Sequence, residues 1–224
     1  MIRITDIIDK IYDYYPEADV DIVDRAYIYS AKVHDGQLRL SGEPYLSHPL
    51  EVASILADMR MDTTSIACGL LHDVVEDTHA TIENIEKLFG KDAAKIIEGV
   101  TKISSLSFDT AKARQAGNIR KMILAMADDI RVILIKLADR LHNTRTLHYH
   151  TKKDKQRRIA QETLDIYSLS RPAWEFTGSK KNWKIFPFPT PIRKNIKKSN
   201  NWSAPTRRTG KSISGKSKAP SAIF

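Results

Sequence analysis

Leu70-Leu71-His72-Asp73-Val74-Val75-Glu76-Asp77-Thr78 sets four ionisable side chains within six residues of an otherwise apolar run. Its apolar residues read as a buried helix that starts behind Asp62-Thr63-Thr64 and runs through Ile66, Leu70 and Val74. Charged groups are costly in such a place unless they are paired, hold a metal or carry chemistry. On a continuous helix His72 and Glu76 are four residues apart, as are Asp73 and Asp77. His72 and Asp73 then point about 100° apart around the axis and converge only on something between them. A metal ion satisfies that geometry, provided that other helices supply further ligands.

Helical patterning continues on both sides. Ile4, Ile7, Ile8 and Ile11 recur at helical spacing and Pro16 stops the run. Asp21 is expected to cap a second helix, bearing Ile22, Ala26, Tyr29 and Val33 and ending near Gly36. Residues 36–47 are rich in turn formers, and a third helix is expected from His48-Pro49. Thr81 opens a fifth helix that Gly90 closes. Further helices are expected over about 91–104, 109–127, 129–148 and 154–167. No stretch reads as a strand or a repeat. The fold class is all-α, a bundle of about eight or nine helices.

Charge divides the chain in two. Residues 168–224 hold 13 of the 36 Lys and Arg but one acidic residue, Glu175, for a net +12. The first 167 residues keep 23 basic and 26 acidic groups, a net −3. All three tryptophans (Trp174, Trp183, Trp202) and six of the nine prolines also lie in the second part. Two segments follow: 1–167, a helical domain, and 168–224, a basic tail without apolar periodicity that is expected to be disordered. A single cysteine, Cys68, excludes a disulfide framework and suits a reducing cytoplasm; on its apolar helical face it reads as a small buried hydrophobe. No signal peptide is read at the start. The longest apolar run, Val132 to Ala138, is broken by Lys136 and is too short to span a bilayer. The expectation is a soluble cytoplasmic protein without membrane attachment.

Partners for His72-Asp73 are available. His48 begins a helix in an apolar neighbourhood, and Asp139 sits in Ile133-Leu134-Ile135-Lys136-Leu137-Ala138-Asp139-Arg140-Leu141-His142-Asn143. Alone, His48 reads as a core histidine and Asp139 as half of an ion pair with Arg140. Imidazole with carboxylate suits Mn, Fe, Zn or related ions. The order His48, His72-Asp73, Asp139 resembles the HD-domain metal-dependent phosphohydrolases, which are also all-helical. Gly36-Gln37 to His48-Pro49, Leu71 to Thr78, Lys136 to Asn143 and Glu162-Thr163-Leu164-Asp165-Ile166-Tyr167 narrow this. Together they resemble the N-terminal hydrolase domain of the RelA/SpoT family, over roughly residues 5–167.

That resemblance implies removal of the 3′-pyrophosphate of the guanosine alarmones ppGpp and pppGpp, giving GDP or GTP and pyrophosphate. It implies one Mn2+ held by His48, His72, Asp73 and Asp139. It implies Glu76 and Asp77 as the pair that orients the attacking water and takes its proton, since family members that only synthesise alarmone lack an acidic pair there. Substrate contacts are implied for Arg39, Ser41, Asn143 and Thr146. Within Arg39-Leu40-Ser41-Gly42-Glu43 this chain departs from the family, which commonly has two basic residues before Ser-Gly; Leu40 replaces the second. The departure favours a second reading, a poorly active nucleotide-binding regulatory remnant; a third is an HD phosphohydrolase for another nucleotide. His148 and His150 have no matching ligands and are read as surface residues.

The resemblance stops at Ser168, where long family members continue toward a synthetase domain. The coincident shift in charge, Trp and Pro points to a reading-frame change in the gene, which the other frames of the coding DNA would reveal. The alternative is a basic arm whose Lys180-Lys181, Arg193-Lys194, Lys197-Lys198 and Arg207-Arg208, with Trp183 and Trp202 between them, bind RNA through phosphate contacts and stacking.

Overall fold

In the computed structural model, residues 2–104, 128–160 and 163 are described, and all of them lie within one compact unit, Met1–Pro189. Helix α1 spans Ile4–Tyr14 and α2 Asp21–Val33; α3 is Ser47–Asp58, α4 Thr63–Leu71 and α5 the single turn Val74–Asp77. Helix α6 runs Ile82–Ser104 and α7 Ile130–Arg145, followed by a 3-10 turn at Leu147–Tyr149 and helical residues 153–160. Among the described residues there is no strand, only an isolated antiparallel bridge between Leu38 and Pro44. The all-α expectation holds. Expected helix 109–127 and the tail 168–224 lie outside the described residues.

Helix α3 is the axis of the arrangement. Every residue from Ser47 to Ala57 except Glu51 is buried, because α1, α4 and α7 all pack on it. Helix α4 is covered in turn by α2, α3, α6 and α7, which buries Ser65 to Leu71 without a break. Gly69 makes the α3–α4 approach possible: a Cβ there would stand 2.6 Å from Leu56 Cδ1. Asp62 starts α4 by accepting from Ser65 N at 2.9 Å and Ser65 Oγ at 2.7 Å. Lys10 ties α1 to α3 through Ser54 Oγ at 2.8 Å and Asp58 Oδ1 at 2.6 Å.

Several helix boundaries differ from the sequence expectation. Asp21 is the first residue of α2 rather than its cap; its N–H is taken by Asp19 Oδ1 at 3.0 Å. Helix α3 begins one residue early, at Ser47. The expected helix over 129–148 ends at Arg145 and tightens into the 3-10 turn. Gly90 interrupts α6 as expected, with a left-handed φ of 88° that favours glycine. The difference that matters most lies at the opening stretch. The helix does not run on through Val74: α4 ends at Leu71, His72 and Asp73 form a turn, and α5 restarts at Val74. The His72 ring accounts for the break, since its Nδ1 donates back to Gly69 O at 2.8 Å in place of a continued backbone ladder. No helix among the described residues is long and apolar enough to cross a membrane.

Candidate metal centre and cleft

Four side chains meet where α3, α7 and the α4–α5 turn come together. The first turn of α3 brings in His48, the turn itself His72 and Asp73, and the middle of α7 Asp139. One ligand atom each of His48, His72 and Asp139 falls within a 4.8 Å cluster. His48 Nε2 is 3.4 Å from Asp73 Oδ2 and 3.3 Å from Asp139 Oδ1. His72 Nε2 is 3.1 Å from Asp73 Oδ2 and 3.9 Å from Asp139 Oδ1. His48, His72 and Asp139 are buried; Asp73 reaches the cleft.

The donor set suits a divalent cation. His72 Nδ1 faces a carbonyl, which can only accept, so Nδ1 carries a proton and the neutral ring has its lone pair on Nε2. That Nε2 is fully buried and meets the carboxylates of Asp73 and Asp139, so the neutral ring aims an electron pair into the cluster. Two imidazoles and two carboxylates match the preference of Mn, Fe or Zn. Without a cation, the same acids favour a proton on His72 Nε2, which a metal ion would displace. Burial alone would pull His72 down, but the charges of Asp73 and Asp139 raise it to about 9. Burial would push Asp139 up, yet Lys136 and His48 hold it well below the usual carboxylate range. Asp73 is likewise held low, by His72 and His48 against burial. The pocket stabilises positive charge at its centre.

Three neighbours that the sequence reading did not assign complete the floor. Lys136 Nζ lies 2.7 Å from Asp139 Oδ2, both side chains being buried. His142 Nδ1 is 2.7 Å from His48 Nδ1; burial and the nearby His48 and Arg39 lower His142 to about 3. Tyr45 Oη donates to Asp73 Oδ2 at 2.9 Å and also lies on Asp77 Oδ2, joining the turn to α5. Its ring stacks on buried His34, with centroids 4.4 Å apart. A signal for two of them was present: Lys136 and His142 lie three residues either side of Asp139, on its helical face.

Above the floor opens a cleft of about 490 Å³. Glu76 lines it together with Ser104, Lys136, Asp139 and Asn143. Partial burial raises the Glu76 carboxyl, while Ser104 and Lys136 oppose that rise. Arg39, Leu40, Ser41 and Thr146 all line the cleft. Arg39 Nη2 donates to Asn143 Oδ1 at 3.2 Å, and Asn143 Nδ2 to Asp139 Oδ1 at 2.5 Å, so a chain of hydrogen bonds runs from rim to floor. Ser41 Oγ donates to Glu43 Oε2 at 3.2 Å. Thr146 Oγ1 donates to His142 O at 3.2 Å. Asp77 stands at the edge through Tyr45 rather than on the cleft wall. His148 is exposed, as expected; His150 instead lines the cleft with Tyr149 and Lys155, because the 3-10 turn folds that segment back over α7. Cys68 is buried, its Sγ 3.8 Å from Ala93 O, and burial pushes the thiol up.

The cleft thus brings Asp73, Glu76 and Asp139 together with Arg39, Lys136, Arg140 and Lys155. That mixture fits a cation and a polyanion bound side by side. Known proteins share this chain's pattern. A GTP pyrophosphokinase of Myxococcus xanthus is 60% identical over 158 residues, covering 69% of this chain and 21% of that protein. The bifunctional (p)ppGpp synthase/hydrolase SpoT of Escherichia coli K12 is 54% identical over 158 residues, covering 70% of this chain and 22% of its own. The chain therefore spans less than a quarter of the length of these curated relatives. A solved structure described as "A metazoan ortholog of SpoT hydrolyzes ppGpp and plays a role in starvation responses" superposes with a TM-score of 0.52 at 28% identity, covering 68% of this chain and 96% of that one. The family model for the HD domain matches residues 26–171. With the histidine–aspartate cluster seated in an all-helical frame and that match spanning most of the chain, the chain belongs to the HD-domain family, and its relatives there are the RelA/SpoT proteins.

Proposed function

We propose that this domain hydrolyses the 3′-pyrophosphate of ppGpp and pppGpp with one bound Mn2+, releasing GDP or GTP and pyrophosphate. The observation that carries the reading is the convergence of His48, His72, Asp73 and Asp139 beneath a cleft lined by Glu76. Its relatives' names and the metazoan ppGpp hydrolase support the same substrate class.

His48, His72, Asp73 and Asp139 would hold the divalent cation, which when bound would supply Lewis-acid polarisation of a phosphoryl oxygen and a more acidic attacking water. Glu76 orients that water from the cleft wall and accepts its proton, its carboxyl being raised by partial burial. Asp77, tied through Tyr45 to Asp73, holds the pair in register with the floor. The new bond joins water oxygen to phosphorus; the bond from that phosphorus to the ribose O3′ breaks, and the O3′ takes up a proton. Lys136 offsets charge at Asp139, and Arg39, Ser41, Asn143, Thr146 and Lys155 grip nucleotide and phosphates.

The test is to strip the protein of metal, add ppGpp with and without Mn2+, and measure GDP and pyrophosphate. Metal-dependent release of both in equal amounts supports the proposal; no turnover with metal added defeats it. Leu40, exposed on the cleft wall where the family commonly has a base, favours one other outcome: nucleotide binding with slow turnover.

A further inference from the structure

We propose that His142 is a positioning residue for the metal centre: it receives the Nδ1–H of His48 and so turns the His48 Nε2 lone pair toward His72, Asp73 and Asp139. The inference rests on the metal-centre reading above and adds a residue to it.

Two ring nitrogens 2.7 Å apart need one proton between them. His48 is 2% and His142 7% exposed, so water does not readily replace either partner. If His142 donated, His48 would keep its own proton on Nε2, pointing at Asp73 Oδ2 and Asp139 Oδ1 at 3.4 Å and 3.3 Å. That arrangement closes the cluster to a cation. If His48 donates, its Nε2 lone pair faces the same two carboxylates and the cluster opens. His142 must then be the acceptor, with its own proton on Nε2.

Comparison with His72 gives the reason for a histidine at 142. His72 donates Nδ1–H to a backbone carbonyl of its own helix, Gly69 O, and its tautomer is fixed by that acceptor alone. His48 sits in the first turn of α3, and its Nδ1 faces a side chain on α7. The second imidazole of the centre therefore borrows its acceptor from another element. Because Asp139 and His142 lie on the same face of α7, that helix supplies both a ligand and the anchor of a second ligand. The rings lie 4.8 Å apart between centroids and are tilted by 38°, so the contact runs edge to edge through the nitrogens rather than as a stack.

The experiment compares metal-free wild type, His142→Ala and His142→Asn by calorimetric titration with Mn2+, with thermal unfolding of each metal-free protein as a check on the fold. Asn places a carbonyl oxygen near the former Nδ1 and can still accept. Removing such an outer partner weakens metal binding by about 10–100-fold, so His142→Ala should lose that much while His142→Asn stays within about threefold of wild type. A purely packing role would lower thermal stability in both variants without separating their affinities. The second measurement needs no variant: nitrogen NMR of the wild-type imidazoles with diamagnetic Zn2+ bound should find the His142 proton on Nε2. Equal Mn2+ affinity in wild type and His142→Ala, or a His142 proton on Nδ1, overturns this inference alone. A wild type that takes up no metal overturns the metal-centre reading and this inference with it.

Discussion

The floor and the rim of the cleft are built on opposite terms. On the floor, His48, His72, Lys136, Asp139 and His142 are all buried, and each is anchored by another group within hydrogen-bond or ion-pair distance. On the rim, Leu38, Leu40 and Tyr149 are exposed, 68%, 69% and 45% respectively. Buried ionisable groups tolerate little change, because a lost partner leaves a charge with neither water nor counter-charge. Exposed groups re-solvate and lose less. The floor should therefore fix the reaction, and the rim should tune what enters.

The largest break is expected at the floor. Asp139→Asn removes a ligand charge, and Mn2+-dependent ppGpp hydrolysis should fall by about three orders of magnitude, with metal uptake lost in the same titration. A variant that still binds Mn2+ tightly would erase the distinction between floor and rim. Next comes the border between them. Glu76→Gln with Asp77→Asn should cut kcat by about 10²–10⁴-fold. Mn2+ affinity should stay nearly unchanged, which would separate proton transfer from metal holding. If affinity falls as steeply as kcat, the pair belongs to the floor.

Lys136→Met tests the floor through stability. It leaves the Asp139 carboxylate buried beside an apolar chain, so metal-free unfolding in urea should show a loss of about 3 kcal/mol. Saturating Mn2+ should restore part of it, since the cation replaces the lost positive charge. Behind the floor, Gly69→Ala forces a Cβ to within 2.6 Å of Leu56 Cδ1; overpacking of this kind costs about 1–3 kcal/mol. A lowered unfolding midpoint with His72 still able to bind metal would locate the damage in packing. The smallest effect belongs to the rim. Leu40→Lys adds a cation beside the phosphates and should lower KM for ppGpp by about three- to tenfold with kcat held. A change in kcat instead would show that the rim reaches the chemistry.

How much was legible follows from residue type and spacing. His48, His72, Asp73 and Asp139 stood out because ionisable groups in apolar helical runs are costly, and their order in the chain is specific. Arg39, Ser41, Asn143 and Thr146 were legible through family resemblance, and all four line the cleft. Lys136 was noticed only as a break in an apolar run; its pairing with Asp139 shows once the two side chains are seen buried together. Tyr45 and His142 were not singled out. A tyrosine in a turn-rich loop and a histidine near a helix end are ordinary until another element faces them. His150 was read as surface because no ligand accompanied it, yet the 3-10 turn returns it to the cleft wall.

By itself the sequence determined the helical frame, since apolar spacing and caps act over a few residues and need no partner. It also determined which side chains were too costly to bury idle. Tertiary structure alone decided where those side chains point. Spacing alone does not place His72 Nε2 3.1 Å from Asp73 Oδ2, nor set both against His48 and Asp139. Tertiary structure alone decided that His142 meets His48 across 94 residues and that Tyr45 bridges Asp73 and Asp77. The physical reason is that helix propensity is local, whereas the direction of a lone pair depends on which acceptor another helix presents to the opposite side of the ring.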